Sequence, residues 1–323
     1  MTLEIDMEIL KEFEERLDPA KPEESPIPAK VLGYGEISTV FEILDGSQSN
    51  IAFKRMPLFD AQEQVARYTE VYNQYHKWLA EIGIDIPEFG ATTIYTEKGR
   101  IVLFLYQEKL PAGSIGNRLI HTLPVEDTKR LVQTVLRELL KVWNFNSANA
   151  HSVQIAIDGQ ISNWALKGYT LDMSELGDNP QLHYLDTSTP LFQVDGQEQL
   201  DVELFLRPTP PGIRYLLKKF YLHDIVNRYY DFRKVMIDLI ANFYKEQLSD
   251  MVPEITEVVN DFILTEAIKH NIEEITVEEV EDYYKDDAST WKLYLRMRRF
   301  HRFIVTKIRR GYYAYILPVI TER

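Results

Sequence analysis

Apolar and polar positions change their period twice along this chain. From Leu3 to Leu17 the spacing is helical, with Leu10, Phe13 and Leu17 on one face, and the pattern stops at the proline-rich stretch Asp18 to Pro28. Residues 1–28 therefore read as an appended helix and a linker. Between Ala29 and Tyr106 come short runs rich in β-branched and aromatic residues: VLGYG, STVFEIL, IAFKRM, ATTIY and RIVLFLY, with Asp45-Gly46 and Lys98-Gly99 as turn signals. They predict a five-stranded antiparallel lobe over residues 29–108. One helix interrupts it, expected to start at Asp60 with Glu63 completing a capping box, and to carry Tyr68, Val71, Tyr72, Tyr75 and Leu79 along one side.

After Gln107 the composition turns helical. Thr128 to Trp143 places Leu131, Val132, Val135, Leu136, Leu139 and Trp143 on a wide apolar stripe, as a buried helix needs. A small β element follows, SVQIAI then ISNWAL joined by Asp158-Gly159, and a further short strand LHYL. Beyond Pro211 the pattern reads as helices over Ile213–Tyr230, Phe232–Gln247, Pro253–His270, Val277–Tyr284 and Trp291–Gly311. The expected fold class is α+β: a sheet lobe, then a mostly helical lobe over residues 109–323, with a cleft between them.

Composition narrows the classes. Hydrophobic residues make up 45% of 323, enough for a folded core. No apolar run reaches membrane-spanning length, and MTLEIDMEILKEFEERLDP lacks the basic start and apolar stretch of a signal peptide, so a cytoplasmic protein is expected. The absence of cysteine excludes disulfides, thiolate metal sites and thiol nucleophiles. A net charge of −14 argues against general nucleic-acid or anionic-membrane binding. One local basic cluster stands apart, Lys292, Arg296, Arg298, Arg299, Arg302, Lys307, Arg309 and Arg310, and is expected to face the acidic run from Glu273 to Asp287. The seven histidines show no metal-ligand spacing.

The candidate chemistry begins at Gly33-Tyr-Gly35-Glu-Ile-Ser38-Thr-Val40, a turn between two predicted strands whose glycines can bring backbone N–H groups close to phosphate oxygens. The next strand carries Lys54 among Ile51, Ala52, Phe53 and Met56. A lysine in an apolar strand needs a counter-charge. Glu70, on the lobe's single helix, is the expected partner.

Taken in order, these residues resemble the protein-kinase-like superfamily. That pattern has a glycine-rich loop, a strand lysine, a helix glutamate, a catalytic Asp five residues before an Asn, and a metal-binding Asp after a further strand. Gly33, Gly35 and Val40 match the loop, with Ser38 in place of the third glycine, while Lys54 and Glu70 match the next two stations. Asp158 and Asn163 stand five apart in DGQISN, and Asp186 follows LHYL. Gln107 begins a lobe connection, QEKLPAGSIGN, that looks like the hinge of the small-molecule branch containing aminoglycoside and choline kinases. The resemblance covers about Lys30 to Pro190. It implies a bilobal kinase-like fold binding ATP and Mg²⁺, with Asp158 as base, Asn163 and Asp186 on the metal, and a small hydroxyl-bearing acceptor. Departures are plain: AID replaces the family's HRD or HGD, Gln160 stands where a basic residue or histidine is usual, and Asp186 lacks the following Phe-Gly. A non-catalytic pseudokinase and a nucleotidyl transferase are the alternatives, and Asp158-Gly159 also reads as a plain hairpin turn.

Overall fold

The computed structural model describes residues 3–35, 37–210, 214 and 226–318. Strands β1 (Ala29–Tyr34), β2 (Thr39–Ile43), β3 (Ile51–Phe59), β4 (Phe89–Tyr95) and β5 (Ile101–Glu108) form one antiparallel sheet in the order β1-β2-β3-β5-β4. The side-chain period of two sorts the central strand: Phe53 and Arg55 face one side, Lys54 and Met56 the other. Helix α2 (Gln62–Ile82) covers the Met56 side with Tyr68, Val71, Tyr72, Tyr75 and Leu79. Helix α1 (Met7–Arg16) covers the Phe53 side with Leu10 and Phe13, and Phe13 meets Phe41 edge-on at 5.2 Å between centroids.

The first helix is thus part of the lobe and no mere appendage. Asp6 caps it, accepting from the backbone N–H groups of Glu8 and Ile9 at 3.0 Å each. Its Glu14, with no exposed surface, holds Arg55 through two bonds, Nε to Oε2 at 2.5 Å and Nη2 to Oε1 at 2.8 Å. The capping box expected at Asp60 and Glu63 does not form. Ala61 occupies the N-cap, while the Asp60 carboxylate accepts from Arg207 Nη1 at 2.8 Å, so a contact from the second lobe takes the group that would have capped the helix.

In the second lobe the described helices are α3 (Gly116–Leu119), α4 (Val125–Ala148), α5 (Phe232–Lys245), α6 (Val252–Thr265) and α7 (Val277–Phe303). The apolar stripe of α4 is buried as its pattern predicts, and Trp143 stacks on Phe232 with centroids 4.3 Å apart. The helix expected to reach His270 stops at Thr265, followed by a separate single turn at Ile268–His270. The helix expected over Ile213–Tyr230 lies largely outside the described residues. The two helices expected over 277–284 and 291–311 are one, because KDDAST between them holds neither Gly nor Pro to stop it. A short π-helical turn, Ile304–Ile308, ends it.

Charge pairing also differs from expectation. Glu279 pairs with Arg233, Asp287 with Arg228 and Lys245, and Glu281 with Lys285. The acidic run is therefore met by bases from other elements and its own turn, because a straight helix carries the basic cluster away from it. Past α7 the chain returns to the sheet lobe. Arg55 Nη1 donates to the Ala314 carbonyl at 2.6 Å, and Ile316 enters the core shared by Phe41 and Phe53. Among the described residues no helix is long and apolar enough to cross a membrane. The whole is a bilobal α+β fold, its five-stranded antiparallel lobe preceding a mostly helical one.

Candidate active site

Five short strands build the floor of the cleft: β6 (Val153–Ile155), β7 (Trp164–Leu166), β8 (Leu182–Tyr184), β9 (Phe192–Val194) and β10 (Gln197–Glu198). SVQIAI and ISNWAL do not pair with each other: β6 pairs with β9, and β7 with β8. Asp158-Gly159 is accordingly no hairpin turn. The neighbouring backbone is held elsewhere, Ala156 N–H on Leu191 O at 3.1 Å and Ile157 N–H on Tyr229 O at 3.3 Å. Gly159 is required by close packing, since a Cβ there would lie 2.5 Å from Val235 Cγ1.

This arrangement delivers Asp158, Asn163 and Asp186 to one place. Asn163 Nδ2 donates to the Asp158 carbonyl at 3.4 Å, and Asn163 O accepts from Leu185 N–H at 2.8 Å, so the loop and the segment after β8 are tied by backbone. Gly116 lets the lobe connection approach the same loop, where a Cβ would stand 2.2 Å from Ile161 O. Asp158 and Asp186 line a small cavity of about 30 Å³ together with Ala156, Tyr184, Thr189 and Tyr229.

Lys54 reaches down from β3 into this site. Its Nζ lies 2.7 Å from Asp186 Oδ1 and 2.6 Å from Ser188 Oγ, joining residues 132 positions apart across the two lobes. Ser188 Oγ also donates to Asp186 Oδ1 at 2.8 Å. Burial pushes the Asp186 carboxyl up, but the Lys54 charge and the bonds from Lys54 and Ser188 outweigh it and hold the group below its usual value. All three contacts of Asp186 fall on Oδ1. Its second oxygen and the side-chain oxygen of Asn163 are hard donors of the kind Mg²⁺ takes, with phosphate and water completing the shell. Among the described residues there is no cluster of three or more carboxylates or imidazoles that would hold a metal unaided.

Asp158 has the opposite electrostatics. Burial first, then the charge of Asp238, raise its carboxyl from 3.8 to about 7; Asp186 adds to the lift, and the Gln160 backbone N–H and Arg228 oppose it. Asp238, from α5, receives Gln160 Nε2 at 3.0 Å and Lys245 Nζ at 3.2 Å, and Lys245 continues to Asp287 of α7 at 3.1 Å. Gln160, at the position where the resemblance expects a base, thereby couples the loop to a charged chain in the helical lobe.

The expected Lys54–Glu70 pair does not form. Glu70 lies about 200° around α2 from Tyr68, on the solvent side, and binds Arg67 at 2.9 Å with 71% of its side chain exposed. Tyrosines occupy the inward face instead. Tyr68 Oη donates to Ser188 O at 2.7 Å and Tyr75 Oη to Ala156 O at 2.8 Å, while Tyr72 bonds to Thr187. The spacing of these tyrosines is visible in the sequence, where it signals only packing. In the glycine turn Gly33 pairs with Val40, Val40 stands opposite Lys54 in register, and Gly35 N–H donates to Ser38 O at 3.0 Å. Ser38 is buried at a crevice shared with Arg298 and Tyr315, toward the returning chain end. Gln107 is held in register between Ala52 and Phe89 at the end of β5, where the lobe connection begins.

A family model described as "Family of unknown function (DUF6206)" matches residues 14–302. No curated protein matches the sequence. Among solved structures the chain is similar to WaaP in complex with acyl carrier protein, at 15% identity over 67% of this chain and 88% of that one, with a TM-score of 0.33. It is also similar to the GDP complex of wild-type aminoglycoside 2'-phosphotransferase-IIIa, at 12% identity over 74% of this chain and 93% of that one, with a TM-score of 0.34.

Proposed function

We propose that this chain, which belongs to the DUF6206 family, is an ATP-dependent phosphotransferase acting on a small hydroxyl-bearing acceptor. The observation that carries the reading is the Lys54–Asp186 contact at 2.7 Å, a strand lysine and a loop carboxylate brought together across a cleft beside Asp158. In this reading Lys54 leaves Asp186 to anchor phosphate oxygens, and Asn163 and Asp186 would hold Mg²⁺, which neutralises charge developing on the phosphates. Asp158 takes the acceptor's proton as the acceptor oxygen bonds to the γ-phosphorus and the bond to the β-γ bridging oxygen breaks, leaving ADP. A base that titrates near neutrality suits that step.

Glu70 has no part in this scheme. The tyrosines of α2 set the position of the Asp186–Ser188 segment in place of a helix acid. A non-catalytic nucleotide binder is the second reading, favoured by the altered loop, in which Ala156-Ile157-Asp158 stands in place of HRD or HGD and Gln160 in place of a basic residue or histidine.

Thermal melts and turnover separate the two. Mg²⁺-ATP should raise the Tm of the wild type and leave Lys54→Met unchanged. ADP formation against a panel of hydroxyl-bearing metabolites should appear in the wild type and vanish in Asp158→Asn, which should still bind nucleotide. Stabilisation without ADP from any acceptor would favour the second reading, and no stabilisation at millimolar nucleotide would end both.

A further inference from the structure

Residues 288–321 hold eight of the chain's 36 Lys and Arg and no Asp or Glu, in a protein whose net charge is −14. Within this stretch Leu293, Arg296, Phe300, Phe303 and Lys307 recur at intervals of three and four, which places them on one stripe of α7 and the turn that ends it. All five are exposed. Leu293, Phe300 and Phe303 leave 57%, 59% and 53% of their surface open, and the adjoining Ile308 leaves 66%. The opposite side of the helix is the buried one, with Leu295 and Arg298. A single exposed ring is ordinary, whereas several on one stripe mark a contact surface.

We propose that this stripe docks on an anionic lipid bilayer, with α7's second half lying along the headgroups and Phe300 and Phe303 entering the acyl boundary. The chemistry of the stripe selects that partner. Bulky apolar groups alternate with Arg296 and Lys307, whose long stems let the charge reach phosphate while the rings sink. Charge complementarity adds orientation: an anionic surface attracts this end and repels the acidic remainder of the chain, so the overall acidity that opposes general membrane binding here directs it. A two-fold pair of chains would bring Arg296 and Lys307 against the same patch on its partner. Duplex nucleic acid offers phosphates but no apolar bed for Leu293 and Phe300. The first half of α7 carries Asp287, which binds Lys245 beside Asp238. One helix therefore links the docking stripe to the neighbourhood of Asp158.

The test is sedimentation of the full chain with phosphatidylcholine vesicles and with vesicles containing about 30% phosphatidylglycerol, at low and high salt. The wild type should partition at least ~10-fold more strongly onto the anionic vesicles and lose most of that binding at high salt. Phe300→Ser with Phe303→Ser, and separately Arg296→Glu with Lys307→Glu, should each lower partitioning by ~10-fold or more. Circular dichroism checks that the variants fold. If one does not, the wild-type ratio between anionic and neutral vesicles and its salt dependence still decide. Equal partitioning onto both vesicle types overturns the proposal, as does anionic binding that survives both variant pairs. Concentration-dependent self-association abolished by the Phe300 and Phe303 changes, or salt-sensitive DNA binding, without vesicle binding would also overturn it.

Discussion

Replacing Asp158 with Asn should stabilise the protein at neutral and alkaline pH while leaving it unchanged in acid, and the surroundings of the carboxyl set the size of the gain. Burial, Asp238 and Asp186 lift the group from 3.8 to about 7. Between those values the unfolded chain has released its proton while the folded protein keeps it. Stability therefore falls as pH rises through that window and stays at the lowered level above it. A lift of roughly three pH units corresponds to a penalty on the order of 4 kcal/mol once the group is ionised. Asparagine carries no charge, and its side-chain oxygen can still accept from the Gln160 N–H that now donates to Asp158 Oδ1 at 3.0 Å. Urea titrations of wild type and variant, followed by tryptophan fluorescence, measure the difference directly. The two should agree within ~0.5 kcal/mol near pH 4 and diverge to ~2–4 kcal/mol in favour of the variant near pH 8. A difference that is the same at every pH would refute the reasoning, because it would mean that Asp158 titrates alike in the folded and unfolded chains. The same ionisation should appear in catalysis as a turnover rate that rises toward neutral pH and levels off above it.

Three further outcomes follow from the same geometry. Glu70→Ala should change stability by less than ~0.5 kcal/mol and leave nucleotide affinity within about twofold by calorimetry, since an exposed pair contributes little. Glu14→Ala strands the Arg55 guanidinium in the sheet lobe and should cost ~3–5 kcal/mol in chemical denaturation, most of it recovered when Glu14→Leu is combined with Arg55→Met. Tyr68→Phe removes the donor to Ser188 O and should cost ~1 kcal/mol, with faster hydrogen exchange confined to residues 186–189.

What was legible in the sequence is what depends on neighbours in the chain. Lys54 stands out because an ammonium among Phe53 and Met56 is a local anomaly, and Asp158 and Asn163 because five residues separate them. Their partners depend on how elements pack. Glu70 and Tyr68 are two residues apart on one helix, and only docking against the sheet decides which faces the lysine. Asp238 approaches Asp158 from a helix 80 residues downstream with no motif to announce it. Asp60 and Asp158 each carry a strong local signal, for a cap and for a turn, and in each case contacts from distant segments prevail: Arg207 for the first, the strands flanking Leu191 and Tyr184 for the second. The run of α7 through residues 285–290 shows the converse, since the polar stretch looks like an interruption although nothing in it breaks a helix.

Arg55 is gripped by Glu14, 41 residues before it, and by the Ala314 carbonyl, 259 residues after it. Considered in the order of synthesis, the strands of the sheet lobe precede the segment that completes its core by about 200 residues. Its five strands and two covering helices are all available once Glu108 has been made, yet the core still lacks Ile316 and one guanidinium arm still lacks its acceptor. At ~5–20 residues per second the wait is roughly 10–40 s, longer than a small sheet needs to form. The nascent lobe must spend that interval with an unfilled place beside Phe41 and Phe53, open to any passing apolar segment, until the segment around Ile316 arrives to close it.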